Sequence, residues 1–238
     1  MNNGNKIKKF NSDWNFKGNV SKNFDKHILR SVPLYRETHK LYLYLSDFFI
    51  EENTNIYDIG CSTGTFLNLL HSRHHKNDKF NKINIYGLDE VKEMINFCKK
   101  KHKKKKINFL QKSANKINYK NCSIISAFYT IQFIQPSKRQ DLINKIFKGL
   151  KWGGAFFMVE KVRAPDARFQ DIMNQVYVDY KLSQGYSSSE IVNKSRSLKG
   201  VLEPFSSKAN IDMLKRAGFK DVLSVFKYGF FEGFLAIK

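Results

Sequence analysis

The sequence is poor in cysteine and in acid, and it has no long apolar run. Its three cysteines, Cys61, Cys98 and Cys122, are odd in number and lack metal-like spacing. That argues against a disulfide framework and leaves reduced thiols, with a cytoplasmic protein as the expectation. No stretch approaches a membrane span in length, so no membrane partner is expected. The basic, asparagine-rich start lacks the apolar core of a signal peptide. No internal repeat occurs. Asp and Glu total 21 against 42 Lys and Arg, a net charge of +21. The excess is sharpest at 99–106, KKKHKKKK. This run reads as a solvated loop in a chain rich in lysine, asparagine and isoleucine. A phosphate-contacting patch for nucleic acid is the alternative, but no aromatic interleaves the run for base stacking. Either way, the charge favours anionic substrates.

What is present suffices for a core: 42% of residues are hydrophobic and 14% aromatic. One buried α/β domain over 21–238 is expected, after a flexible basic tail at 1–20. Helices are expected at 23–28 and 36–49. Strands at 55–59, 83–88, 107–111, 123–129 and 155–160 then alternate with helices at 64–71, 92–101 and 139–150. That order predicts a parallel sheet. Helices at 166–184 and 187–194 form an insertion, about 164–206. A helix at 207–217, closed by Gly218, leads to strands at 222–226 and 231–237, the second antiparallel.

The stretch NIYDIGCSTGTFLN, 55–68, is the most informative. A β-branched run ends at Asp58, Gly60 and Gly64 follow, and a helix opens. Such a turn brings backbone N–H groups and a helix N-terminus to a ligand. Asp89 ends the next apolar run, where an acid can accept both ribose hydroxyls. A dehydrogenase loop needs glycine where Ser62 stands, and a Walker A loop needs a lysine after Gly64. Cys61 reads as a small packing residue, with a reactive thiol as the alternative. His74 and His75 read as members of a polar loop, and no metal site is expected.

The pattern resembles motif I of class I S-adenosylmethionine (SAM) enzymes, with Asp58 acidic and Asp89 in the ribose position. The implied fold is a Rossmann-like sandwich, a mostly parallel seven-stranded sheet with helices on both faces. More closely, the chain resembles the carboxy-S-adenosyl-L-methionine synthase family. The residues that carry this are Arg30-Ser31-Val32-Pro33-x-Tyr35, Asp58-x-Gly60-Cys61-Ser62-x-Gly64, His74-His75, Gln132-Phe133, Pro136-Ser137-x-Arg139-Gln140, Gly153-Gly154-Ala155, Glu160-Lys161, Gly185-Tyr186-Ser187 and Arg196-Ser197-Leu198.

The resemblance implies that SAM and prephenate become carboxy-SAM and phenylpyruvate. Carbon dioxide from prephenate is captured by an ylide at the SAM methyl group. The product serves a partner carboxymethyltransferase acting on tRNA wobble uridine, and a homodimer is implied. Arg196 would bind the new carboxylate, a match for a bidentate guanidinium. Tyr35 would face the sulfonium, where an aromatic face suits a cation. These two are the expected catalytic residues. A surface ion pair and a core tyrosine are their plain alternatives. The ligand-binding set is Tyr35, Asp58, Gly60, Cys61, Ser62, Gly64, Asp89, Glu90, Ser113, Ala114, Phe128 and Arg196. Three places depart from the family. Ser113-Ala114 replaces an acid followed by an apolar residue, Phe128 an asparagine, and Glu90 another asparagine. Glu160 reads as structural rather than as facing the reaction. Alternative functions are an ordinary SAM-dependent methyltransferase and a non-catalytic basic nucleic-acid-binding protein.

Overall fold

The computed structural model describes residues 20–238, with side chains from residue 24. The tail expected at 1–20 lies outside the described residues, apart from Val20, which opens helix α1 (Val20–Ser31). Seven strands follow in the sheet order β3-β2-β1-β4-β5-β7-β6. They are β1 (Asn55–Ile59), β2 (Asn84–Asp89), β3 (Asn108–Gln111), β4 (Cys122–Phe128), β5 (Leu150–Lys161), β6 (Asp221–Tyr228) and β7 (Phe231–Ile237). Only β7 runs against its neighbours, pairing antiparallel with both β5 and β6. The Rossmann-like sheet read from the sequence is therefore present.

Side-chain alternation along the strands builds a core on each face. In β5, Phe157 joins a core with Ile56, Ile85, Phe66 and Leu70, while its neighbour Phe156 joins another with Leu142, Ile146, Met213 and Leu214. All of these are at most 2% exposed. Full burial of such a side chain contributes roughly 1.5–3 kcal/mol, so the two cores fix the strands tightly. The helices over the faces are α2 (Tyr35–Leu45), α3 (Thr65–His74), α4 (Asp78–Asn81), α5 (Lys92–Lys101), α6 (Pro136–Gly149) and α9 (Ser207–Ala217). Between β5 and α9 lie α7 (Ala167–Ser183) and α8 (Ser188–Leu198), in the place of the expected insertion.

Several boundaries differ from the sequence reading. Helix 36–49 stops at Leu45, and a 3-10 turn, Ser46–Phe48, follows. Ser46 Oγ donates to the Leu43 carbonyl at 2.6 Å, satisfying an orphan acceptor of the helix end. Helix α6 begins three residues early because Pro136 occupies its first turn, where no N–H is needed. The Trp152-Gly153-Gly154 turn lies inside β5. Gly153 N donates to the Lys238 carbonyl at 2.7 Å, and Lys238 N donates to Gly154 O at 3.0 Å, so main-chain pairing extends the strand. His74 is buried at the end of α3 with Nε2 2.8 Å from Ser46 Oγ, and is not part of a polar loop.

Candidate active site

The sheet order reverses between β1 and β4, and the chain leaves both strands at their carboxyl ends there. A crevice outside that reversal is the favoured ligand site of an open α/β sheet. A cavity of about 1180 Å³ occupies it. Its walls come from the ends of β1, β2, β4 and β5 and from α2, α7 and α8.

The glycine turn forms one wall. Gly60 has φ +67°, and a Cβ there would meet Thr130 Oγ1 at 2.3 Å. Thr130 cannot yield, because Oγ1 lies 3.1 Å from Ile59 O and 3.0 Å from Phe128 O, tying the ends of β1 and β4 together. Ser62, also left-handed at φ +50°, turns its N–H to Asp89 Oδ2 at 3.0 Å. Val91 N donates to Asp89 Oδ1 at 2.9 Å. Each oxygen of Asp89 thus holds one backbone donor and keeps a lone pair for another. Gly64, at φ +73°, is the N-cap of α3 but is not in the cavity wall. It shapes the turn from behind.

Asp58 is 3% exposed and accepts a hydrogen bond from Ser126 Oγ at 2.7 Å. Burial, and then the charge of Asp89, push its pKa up to about 7, with Ser126 opposing. Burial also raises Asp89. Neither carboxylate forms an ion pair among the described residues. Cys61 is buried, and a hydrogen bond to Cys98, reinforced by burial, pushes its thiol well up. That is the chemistry of a packing residue rather than a nucleophile.

Tyr35, first residue of α2, lines the cavity with its ring stacked 5.8 Å from Tyr129 and tilted against His39 at 4.3 Å. Burial raises its pKa, so the phenol stays neutral. Glu90, Ser113, Ala114 and Phe128 line the wall beyond the turn. Phe128 stacks 4.8 Å from His39 and lies 4.6 Å from Phe66, which makes this part of the wall aromatic. Arg196, on α8, is also in the cavity wall and is exposed. Apart from Gly64, every residue expected to bind the ligand faces this one cavity.

Glu160 is structural. Its carboxylate accepts N–H bonds from Thr130 at 3.2 Å and from Ile131 and Gln132 at 2.9 Å each. It thereby holds the loop after β4, although burial pushes its pKa up to about 8. Lys161 at the end of β5 and Lys181 on α7 are among the cavity residues absent from the expected set. Position at a strand's carboxyl end was the available signal for Lys161. Lys181 carried no local signal. The lysine run splits: His102 is buried with Nε2 3.0 Å from Thr63 O, Lys105 reaches Asn68 and Ser72, and Lys103, Lys104 and Lys106 are exposed.

Residues 56–154 match the family model described as a methyltransferase domain. Among solved structures, human N-acetylserotonin methyltransferase in complex with SAM is 15% identical, with a TM-score of 0.61 covering 94% of this chain and 57% of that one. A putative SAM-dependent methyltransferase from Methanococcus maripaludis is also 15% identical, with a TM-score of 0.61 and 95% of both chains covered. These likenesses establish the fold. The carboxy-S-adenosyl-L-methionine synthase of Staphylococcus epidermidis is 38% identical over 226 residues, 94% of this chain and 97% of that protein. That of Campylobacter lari is 36% identical over 233 residues, 97% of each.

The chain belongs to the carboxy-S-adenosyl-L-methionine synthase family.

Within a carboxy-SAM synthase, the three departures noted in the sequence, Glu90, Ser113-Ala114 and Phe128, all fall on the cavity wall beyond the glycine turn. Tyr35, Asp58, Gly60, Cys61, Ser62, Asp89 and Arg196 line the same cavity. No described helix is long and apolar enough to cross a membrane, and no described cluster of three His, Cys, Asp or Glu side chains could hold a metal.

Proposed function

We propose that this chain is a carboxy-SAM synthase acting on SAM and prephenate, with carboxy-SAM and phenylpyruvate as products. The observation that carries this is one cavity lined by Asp58 and Asp89, neither in an ion pair among the described residues, and by Arg196. Its volume exceeds the roughly 300–1,000 Å³ usual for one small ligand, which suits two substrates. The donor set fits SAM. The free lone pairs of Asp89 accept the ribose hydroxyls, and the backbone bonds from Ser62 and Val91 hold the carboxylate ready for them. Asp58 supplies negative charge beside the glycine turn, and the neutral ring of Tyr35 lies where a sulfonium can be shielded from water. Arg196 takes the transferred carboxylate as a bidentate partner. SAM supplies the methyl carbon that becomes carboxylated.

A soluble cytoplasmic enzyme supplying a carboxymethyltransferase for tRNA wobble uridine is the cellular reading. A homodimer is supported by α7, which exposes Phe169, Ile172 and Val176 at 49–54%. Arg196, being exposed, also favours a second reading: plain methyl transfer from SAM, in which that side chain meets solvent. Incubation with SAM and prephenate separates the two. Carboxy-SAM and phenylpyruvate should form in equal amounts. Prephenate left unconsumed, with methyl transfer from SAM to a supplied acceptor instead, would establish the second reading.

A further inference from the structure

Two ammonium groups share the Tyr177 ring. Lys161 Nζ lies 4.5 Å from its centroid and Lys181 Nζ 4.7 Å, and Lys161 Nζ is also 5.0 Å from the Phe230 centroid. Tyr177 is held in place by its hydroxyl, which donates to Ser31 O at 2.8 Å. All three residues line the cavity. Neither lysine forms an ion pair among the described residues. Burial pushes both down to about 8, and for Lys161 the charges of Lys181 and Arg163 add to the effect. Like charges drawn together in a cleft, with only ring faces to soften them, cost the folded chain stability. A ligand that brings two negative charges relieves both the desolvation and the repulsion.

The strand order separates this pair from the acids. Lys161 ends β5, two strands from Asp58 on β1 and three from Asp89 on β2. At about 4.8 Å per strand those spacings are roughly 10 and 14 Å, room for a second molecule beside a nucleoside. We propose that Lys161 and Lys181, set on the Tyr177 ring, form the subsite for a small dicarboxylate, one carboxylate to each ammonium and the ring against the body of the molecule. The assignment rests on the two-substrate reading above and adds to it the residues that select the second substrate.

Calorimetric titration of prephenate into the full chain loaded with S-adenosylhomocysteine, which has no methyl group to carboxylate, tests this. Lys161→Met and Lys181→Met keep length and lose charge. Each should weaken prephenate roughly 10-fold to 100-fold, the range of a lost charge-assisted hydrogen bond, and leave SAM affinity within about twofold. Lys181→Arg should keep most of the affinity. The ligand-free Met variants should melt no lower than the parent, since each loses a buried unpaired charge. A merely structural lysine would not show weaker binding with equal or higher stability. Unchanged prephenate affinity in both Met variants, equal weakening of SAM and prephenate, or no prephenate binding by the parent would overturn the subsite. If prephenate binds through these lysines but no carboxy-SAM forms, the subsite stands and the proposed reaction falls.

Discussion

The two ends of the cavity are electrostatic opposites. At one end Asp58 is a buried and Asp89 a partly buried carboxyl group without a cation, and at the other Lys161 and Lys181 are partly buried ammonium groups without anions. Folding alone would favour pairing these charges or replacing them with apolar residues. Kept apart by the width of two or three strands, they raise the energy of the free protein and are stabilised by ligands of complementary charge. The ends also differ in rigidity of construction. The acidic end is fixed by backbone: a left-handed turn, two N–H donors on Asp89 and the Thr130 clasp. The basic end is fixed by side chains from β5 and α7 resting on one tyrosine.

The comparison breaks most visibly if the acidic end is removed. Asp89→Ala eliminates two charge-assisted hydrogen bonds to a ribose, each about 1.5–3 kcal/mol, so SAM affinity should fall by about 100-fold or more. Prephenate affinity, titrated in the absence of SAM, should change little. Equal loss of both would show that the ends are not separate.

Arg196→Ala should come next. Carboxy-SAM affinity should drop roughly 10-fold to 100-fold while SAM affinity stays within about twofold, because only the carboxylated ligand meets the guanidinium. Equal retention of both ligands would remove the role assigned to Arg196.

How far the sequence foretold this contrast follows from what each end is made of. The acidic end was legible because backbone geometry leaves a local trace: a β-branched strand, Asp58, glycines at two left-handed positions, and an acid at the next strand end. The strand and helix order was legible for the same reason. The basic end was not. Lys161 stands at a strand's carboxyl end, but in a chain with 42 Lys and Arg nothing local joins it to Lys181, 20 positions on. His74 shows the same limit, since its polar neighbours suggest a loop while the contact that buries it comes from Ser46, 28 residues away. The start of β5 was hidden because two glycines look like a turn until the chain terminus pairs with them.

A pH series sharpens the contrast with a smaller effect. Lys161 and Lys181 titrate near 8, so prephenate affinity should fall severalfold between pH 7 and 9.5. The charged or titratable neighbours do not cancel this. The Arg163 charge adds to the lowering of Lys161, burial raises Tyr177 so that it stays neutral, and burial lowers Lys194 to about 6 and His27 to about 3. Stability moves the other way. Because the folded pKa of each lysine lies below its unfolded value, its stabilising contribution is present above about 10.5 and is lost as pH falls through 8. The excess melting temperature of Lys161→Met over the parent should therefore shrink from pH 7 to pH 10. A constant difference would contradict the burial of Lys161.

The smallest effect is at Asp58. Its folded pKa is raised to about 7, so its contribution is favourable when protonated and is lost as pH rises through 7. Asp58→Asn, with Ser126 still able to donate, should raise the melting temperature of the ligand-free protein by a few degrees at pH 8 and by little at pH 5. A variant less stable at pH 8 would mean that the buried charge is compensated.

Mass spectrometry of the ligand released from purified protein would identify the product that the cavity makes. After incubation with SAM and prephenate, the account predicts a species heavier than SAM by one carbon dioxide. SAM or its demethylated product alone would contradict it.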